Sequence, residues 1–198
     1  DIGGGSTELV LIESTNAVPR IIDWQSVPWG VVSLTETCDD EGECAASRAA
    51  RYARMRQIVG DSLANFAERI SPARDQARQN TSVRLLGTSG TVTTLASLHL
   101  DLPHYDRRAV DGINVPADAM RDISTRLANM AIEQRRELPC IGRERADLVV
   151  AGCAILDAIL DIWPAERLGV ADRGIREGIL RSLMGASDQA DRFRADAR

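Results

Sequence analysis

Lysine is missing altogether from these 198 residues, and all 24 basic side chains are arginine. Any basic contact to a phosphate is therefore a guanidinium, whose planar fork suits two-point binding of an oxyanion. Histidine is nearly as scarce, with His99 and His104 flanking the short stretch 100–103. Two histidines without a nucleophile elbow leave a Ser–His–Asp hydrolase unsupported, and both read as ordinary surface residues. Aromatic residues make up 4% of the chain and no apolar run reaches the length of a membrane span, so no membrane partner is expected. The four cysteines (Cys38, Cys44, Cys140, Cys153) lack the paired short spacing of a zinc site. Cys38 and Cys44 are near enough in sequence to bridge, but so few thiols in a chain this long favour a reducing, cytoplasmic setting. A net charge of −5 gives no basic field for a nucleic acid.

What is present is a clear hydrophobic pattern. Residues 8–13 and 19–27 alternate as strands around a turn at Asn16, which predicts a hairpin. Residues 29–35 read as a third short strand, followed by an acidic loop at 38–44. Met55, Ile58, Val59, Leu63, Phe66, Ala67 and Ile70 recur at helical spacing and predict a helix over 45–70, stopped by Ser71-Pro72. A buried-type strand over 82–86 runs into Gly87-Thr88-Ser89-Gly90-Thr91 and a helix through Leu98. Residues 110–115 read as extended, and 116–131 as a helix with Pro in its first turn. Residues 147–163 are apolar nearly all round, so a buried helix containing Cys153 as a free thiol is expected. A strand at 168–171 and a helix at 174–184 close the order. Strands first, then alternating helices and strands, favour an α/β layered domain.

Three constellations carry chemistry. The first, Asp1-Ile2-Gly3-Gly4-Gly5-Ser6-Thr7-Glu8, packs two carboxylates, three glycines and two hydroxyls into the mouth of a strand. Glycine lets backbone N–H groups approach an anion, and carboxylates hold Mg²⁺ or position water. The second, 87–91, is a strand–glycine loop–helix unit lacking the Walker spacing and its lysine. It fits an anion-binding helix N-terminus and equally a tight turn capped by Ser89 or Thr91. In the third, Asp172-Arg173-Gly174-Ile175-Arg176-Glu177-Gly178, Asp172 can cap a helix while Arg173 and Arg176 reach phosphate or pair with Glu177. For Arg145 and Asp147, capping and pairing suffice.

Together, DIGGGSTE at 1–8, LLGTSGT at 85–91, RADLVVAGCAILDAIL at 145–160 and VADRGIREGIL at 170–180 resemble the exopolyphosphatase / guanosine pentaphosphate phosphatase (Ppx/GppA) family. The resemblance implies an α/β, ribonuclease H-like domain of the actin-like ATPase superfamily, with a mixed sheet flanked by helices. Two such domains face each other across a cleft in that family. Residues 1–184 resemble the second, with 185–198 as a polar tail expected to fray. The implied activity is Mg²⁺-dependent phosphoanhydride hydrolysis, releasing the terminal phosphate of polyphosphate or the 5′ γ-phosphate of guanosine pentaphosphate. Asp1 and Glu8 would sit at the metal and the attacking water, and Gly3, Gly4, Gly5, Ser6 and Thr7 would line the phosphate cradle. Gly87, Thr88, Ser89 and Gly90 match the loop that closes over the cleft. Arg173, Arg176 and Glu177 match a motif near it, where the arginines would meet phosphate.

The family's first domain supplies a second phosphate loop and a general-base carboxylate, and neither is found in these residues. The chain is therefore expected to fold around its own core, expose an apolar face where the first domain would sit, and turn over poorly alone. Partners implied are the phosphate substrate, that first domain and a second copy in a homodimer. Two other functions fit the same loops: a non-catalytic sensor of polyphosphate or guanosine polyphosphates, and an actin-like ATPase or kinase.

Overall fold

The alternating segments pair as an antiparallel hairpin of β1 (Thr7–Glu13) and β2 (Arg20–Val27). In this computed structural model, which describes residues 1–14, 19–39, 42, 44–79 and 84–174, Thr7 faces Val27 and Glu8 faces Ser26. The turn at Asn16 lies outside the described residues. Thr7 and Val27 are buried and Leu9 packs beside them. The opposite face leaves Val10 50%, Ile12 52% and Trp24 65% exposed, so the hairpin covers the core with one side only.

Residues 29–35 are not a strand. They begin a helix, α1 (Val31–Thr37), because its first N–H groups find acceptors: Val31 donates to the Gly3 carbonyl (2.9 Å) and Val32 to the Gly4 carbonyl (2.8 Å). Tertiary partners for orphan donors outweigh the weak strand preference of two valines. The long helix α2 (Ala45–Gln79) also departs from expectation, running through Pro72 instead of ending there. Pro72 lacks the N–H that would reach the Glu68 carbonyl, but both residues are exposed, so water can serve that acceptor. Arg74 ties the extension down, donating to Ser71 Oγ (2.9 Å) and the Ile162 carbonyl (3.3 Å).

The second sheet is mixed, in the order β3 (Leu85–Thr88), β5 (Arg167–Ala171), β4 (Asn114–Pro116), with β3 parallel and β4 antiparallel to β5. Gly87 and Thr88 thus belong to the strand, and the loop before α3 (Gly90–His99) shrinks to Ser89. As an edge strand β3 is less buried than its apolar run suggests, and Leu86 is exposed. The extended segment expected at 110–115 divides into α4 (Arg107–Val110) and β4. The amphipathic helix is α5 (Ala117–Asn129), with Met120, Ile123 and Leu127 buried. No periodic signal marks α6 (Ile132–Arg136) or the 3₁₀ turn Arg143–Arg145, both too short to show one. Residues 175–198, and with them most of the expected last helix and the whole tail, lie outside the described residues.

The apolar helix α7 (Leu148–Ile162) is the centre, packed against α1, α2 and α5. Gly152 lets α3 close on it, since a Cβ there would stand 2.4 Å from Thr91 Oγ1. All four cysteines are free thiols, so Cys38 and Cys44 do not bridge, and Cys153 is buried in α7 as expected.

One carboxylate sits inside this helix packing. Asp157 is buried, accepts from the Tyr52 hydroxyl (2.8 Å) and lies 3.9 Å from both Arg56 and Arg121, which pair more closely with Asp161. Burial pushes its carboxyl above the ordinary range, against the opposing pull of Tyr52 and the two arginines. The folded state therefore holds this proton more tightly than the unfolded state. Its contribution is complete below the unfolded pKa and is lost as pH rises through the folded one. Asp157→Asn keeps an acceptor for Tyr52 and removes the titration. Urea denaturation from about pH 4 to about pH 8 should show the Asn variant gaining stability on the wild type as pH rises. A pH-independent difference between the two would contradict this.

Candidate active site

The hairpin extends by one more strand crossing at its base. The Asp1 nitrogen donates to the Glu8 carbonyl (2.8 Å) and the Glu8 N–H to the Asp1 carbonyl (2.9 Å). Residues exchanging both bonds are directly opposite and share a face. Because Glu8 also faces Ser26, Asp1, Glu8 and Ser26 form a row on one side of three adjacent segments. The next row, Ile2, Thr7 and Val27, points the other way and is buried. The period-two pleat thus puts both carboxylates outward together. Glu8 Oε1 accepts from Ser6 Oγ (2.6 Å) and Ser26 Oγ (3.1 Å), which fixes the carboxylate on that face.

Between the two arms runs the glycine turn, closed by Gly3 N–H donating to the Ser6 carbonyl (2.9 Å). Its carbonyls turn toward α1, whose Val31, Val32 and Ser33 N–H groups take them up, while Ser33 Oγ donates to the Gly5 carbonyl (3.2 Å). The Gly4 and Gly5 N–H groups have no partner among the described residues, and both glycines are exposed. Carbonyls held inward and amides left outward make an anion-binding concavity. Gly30 makes this possible: a Cβ there would stand 2.3 Å from the Gly4 carbonyl carbon. Thr7 plays a different part from the cradle role expected of it. Its side chain is buried and its hydroxyl donates to the Trp29 carbonyl (2.7 Å), anchoring the segment before α1.

The second constellation meets the first at one hydrogen bond. Ser89 Oγ donates to the Ile2 carbonyl (2.6 Å), and Ser89 sits at φ 83°, a region costly for a residue with a Cβ. Ser89 occupies the N-cap position of α3, yet its hydroxyl does not cap the helix. The Ser89 hydroxyl is therefore a brace between the two loops and not the cap of α3. At the same helix end, Arg145 Nη1 stands 3.4 Å from where a Cβ on Gly90 would be. Arg145 has no ion pair among the described residues, so pairing does not explain it. Its segment is fixed by Arg135, a buried guanidinium donating to the carbonyls of Ala146 (2.8 Å) and Met130 (2.6 Å).

Asp1, Thr88, Ser89, Arg107, Asp172, Arg173 and Gly174 line an open cavity of about 260 Å³. The expected residues Asp1, Thr88, Ser89 and Arg173 are thus brought together. Gly87 lies one position before this wall, in β3, and Gly90 one position after it, at the start of α3. Gly3, Gly4, Gly5, Ser6 and Glu8 adjoin the cavity through the Asp1–Glu8 pairing and the Ser89 brace. Arg176 and Glu177 lie outside the described residues. Arg107 and a wall-lining Asp172 carry no sequence signal for this site, because 65 residues separate them and they meet where the start of α4 lies against the end of β5. Among the described residues no three His, Cys, Asp or Glu converge as a metal cage. Mg²⁺ commonly takes only one or two carboxylates, with substrate phosphates and water completing the shell, so the same-face pair Asp1 and Glu8 fits that ion.

The Ppx/GppA phosphatase family matches residues 1–187 of the chain. An exopolyphosphatase 2 of Mycobacterium tuberculosis is 29% identical over 192 residues, covering 93% of this chain and 54% of that protein. A guanosine-5′-triphosphate,3′-diphosphate pyrophosphatase of Aeromonas salmonicida is 26% identical, covering 96% and 34% respectively. The solved structure of an exopolyphosphatase from Cytophaga hutchinsonii superposes with a TM-score of 0.76 at 20% identity, over 93% of this chain and 55% of that one. That likeness shows the fold, the actin-like ATPase type with its mixed sheet flanked by helices. The chain spans about half the length of the exopolyphosphatase it matches.

The turn's dependence on Gly30 is directly measurable. Gly30→Ala forces backbone against backbone and should lower stability by about 2–3 kcal/mol, read as a drop in the urea midpoint. A midpoint equal to wild type would show that the turn and α1 can separate without cost.

Proposed function

The chain belongs to the Ppx/GppA phosphatase family, and on that premise we propose that it forms one wall of a phosphoanhydride hydrolase site, as the second of two ribonuclease H-like domains. The substrate is inorganic polyphosphate, losing its terminal phosphate, or guanosine pentaphosphate, losing its 5′ γ-phosphate. The observation that carries this reading is the placement of two same-face carboxylates beside glycine amides that have no partner among the described residues, next to a cavity that Arg107 and Arg173 help to line.

Each part has a task in the reaction. The Gly4 and Gly5 N–H groups receive oxygens of the terminal phosphoryl group, where donors already aimed need no reorganisation. Glu8, fixed by Ser6 and Ser26, orients the attacking water, and Asp1 faces the cavity beside it. Asp1 and Glu8 would hold Mg²⁺, which when bound neutralises charge on the phosphate oxygens. Water adds to phosphorus as the bridging P–O bond breaks, and the shortened polyphosphate or guanosine polyphosphate leaves with that electron pair on its oxygen. The water's proton passes to a base supplied by the first domain, so this wall alone turns over poorly. Val10, Ile12 and Trp24 offer an apolar surface for further packing, by that domain or in a homodimer. A cytoplasmic setting belongs to the same reading, supported by four cysteines that are all free thiols.

The test is phosphate release from polyphosphate and from guanosine pentaphosphate, with the chain alone and joined to a family first domain. The joined form should hydrolyse at least one substrate in a Mg²⁺-dependent manner, and the chain alone far more slowly. Glu8→Gln in the joined form should lower kcat about 100-fold or more with an unchanged melting temperature. Binding without turnover in the joined form would favour the sensor function, and a wild-type rate for Glu8→Gln would move the chemistry elsewhere.

A further inference from the structure

Two guanidinium groups on the cavity wall are each held by a carboxylate, from elements far apart in sequence. Arg107 Nε lies 3.1 Å from Asp172 Oδ2, and its Nη2 donates to the Asp172 backbone carbonyl. The Tyr105 hydroxyl donates to the same Oδ2. On the other side, Arg173 Nε donates to Asp111 Oδ2 (3.0 Å), while Asp111 Oδ1 accepts the Asp172 N–H (3.0 Å). Those two donors, the amide first and Arg173 second, hold the Asp111 carboxyl below the ordinary range. Asp111 and Asp172 are thus themselves coupled through the main chain at the end of β5. Both arginines and Asp172 line the cavity, whereas Tyr105 and Asp111 touch it only through their bonds to Asp172 and Arg173.

We propose that Arg107 and Arg173 form a two-sided clamp for the phosphates of the substrate that are not transferred, with Tyr105, Asp172 and Asp111 as positioning residues. The inference deepens the phosphatase reading of this cavity and rests on it for the identity of the anion. Its ligand class is a linear phosphate chain. At about 260 Å³ the cavity is smaller than the usual ~300–1,000 Å³ of sites enclosing a whole organic ligand, which suits one or two phosphate groups. Arginine held by a carboxylate at Nε keeps a fixed orientation, so less rotamer freedom is lost when an anion binds. Asp172 Oδ2 is engaged by Tyr105 and Arg107, which assigns it to orienting the arginine, apart from the reacting carboxylates Asp1 and Glu8. Both arginines and both carboxylates come from the segments 105–111 and 172–173, so the clamp is a single unit at one sheet end.

Titration of the full chain with inorganic tripolyphosphate, followed by calorimetry, tests this without relying on turnover. Arg107→Gln should weaken binding about tenfold, and Arg107→Lys, which keeps the charge but loses the fork, by less. Tyr105→Phe should weaken it about threefold in the wild-type background and not at all in Arg107→Gln, as coupling through one group requires. A merely structural role for Tyr105 would leave its effect intact in the double variant. Equal affinity in Arg107→Gln and wild type, an additive double variant, or no tripolyphosphate binding by the wild type would each overturn the clamp. If the binding losses occur as expected but the joined form hydrolyses neither polyphosphate nor guanosine pentaphosphate, the clamp stands and the phosphatase reading fails.

Discussion

The contact between Gly30 and the Gly3–Gly4 backbone organises everything around it. Because no side chain stands between them, α1 can set its first N–H groups on the carbonyls of the glycine turn. That single approach does two things at once. It gives α1 its start, which local propensity alone does not supply, and it turns the glycine amides outward. The turn in turn fixes Asp1 opposite Glu8, and Ser89 locks the Ile2 carbonyl to the start of α3. Hairpin, first helix and second sheet therefore converge on one short loop.

The absence of lysine shapes the rest. Each arginine that matters is held by its own acceptor: Arg135 by carbonyls in the interior, Arg69 by Asp23 across the hairpin, Arg107 by Asp172 and Arg173 by Asp111. A guanidinium can be fixed at one edge and still present others, which an ammonium cannot do as rigidly. A chain of net negative charge can accordingly bring two fixed guanidinium groups to one cavity, beside the carboxylates of Asp1 and Asp172. Position, more than total charge, decides what this cavity attracts.

Legibility followed the length and regularity of the pattern. The fifteen residues of α7 read correctly because an all-apolar run of that length has no stable alternative to burial as a helix. The β1–β2 hairpin read correctly because alternation over seven and eight residues fixes which face is inward. Residues 29–35 misread because a glycine followed by two valines looks like a strand, and its helix is set by acceptors 28 or 29 positions away. Pro72 misread because a helix break depends on whether the freed carbonyl is buried, and here it is not. Arg145 looked like a pairing residue, since nothing local tells that Arg135 holds its segment beside Gly90.

By itself the sequence determined the chemistry available: two carboxylates and three glycines within eight residues, hydroxyls at their flanks, and arginine as the only strong cation. It also determined which face of each long element is apolar, because periods of 2 and 3.6 are written locally. Only the tertiary structure decided how those groups meet. Ser89 became a brace instead of a cap, Thr7 an anchor instead of a ligand, and Arg107 part of the cavity wall. The physical reason is that a hydrogen bond or a close backbone approach between distant segments depends on both partners' positions, and no local period carries that information.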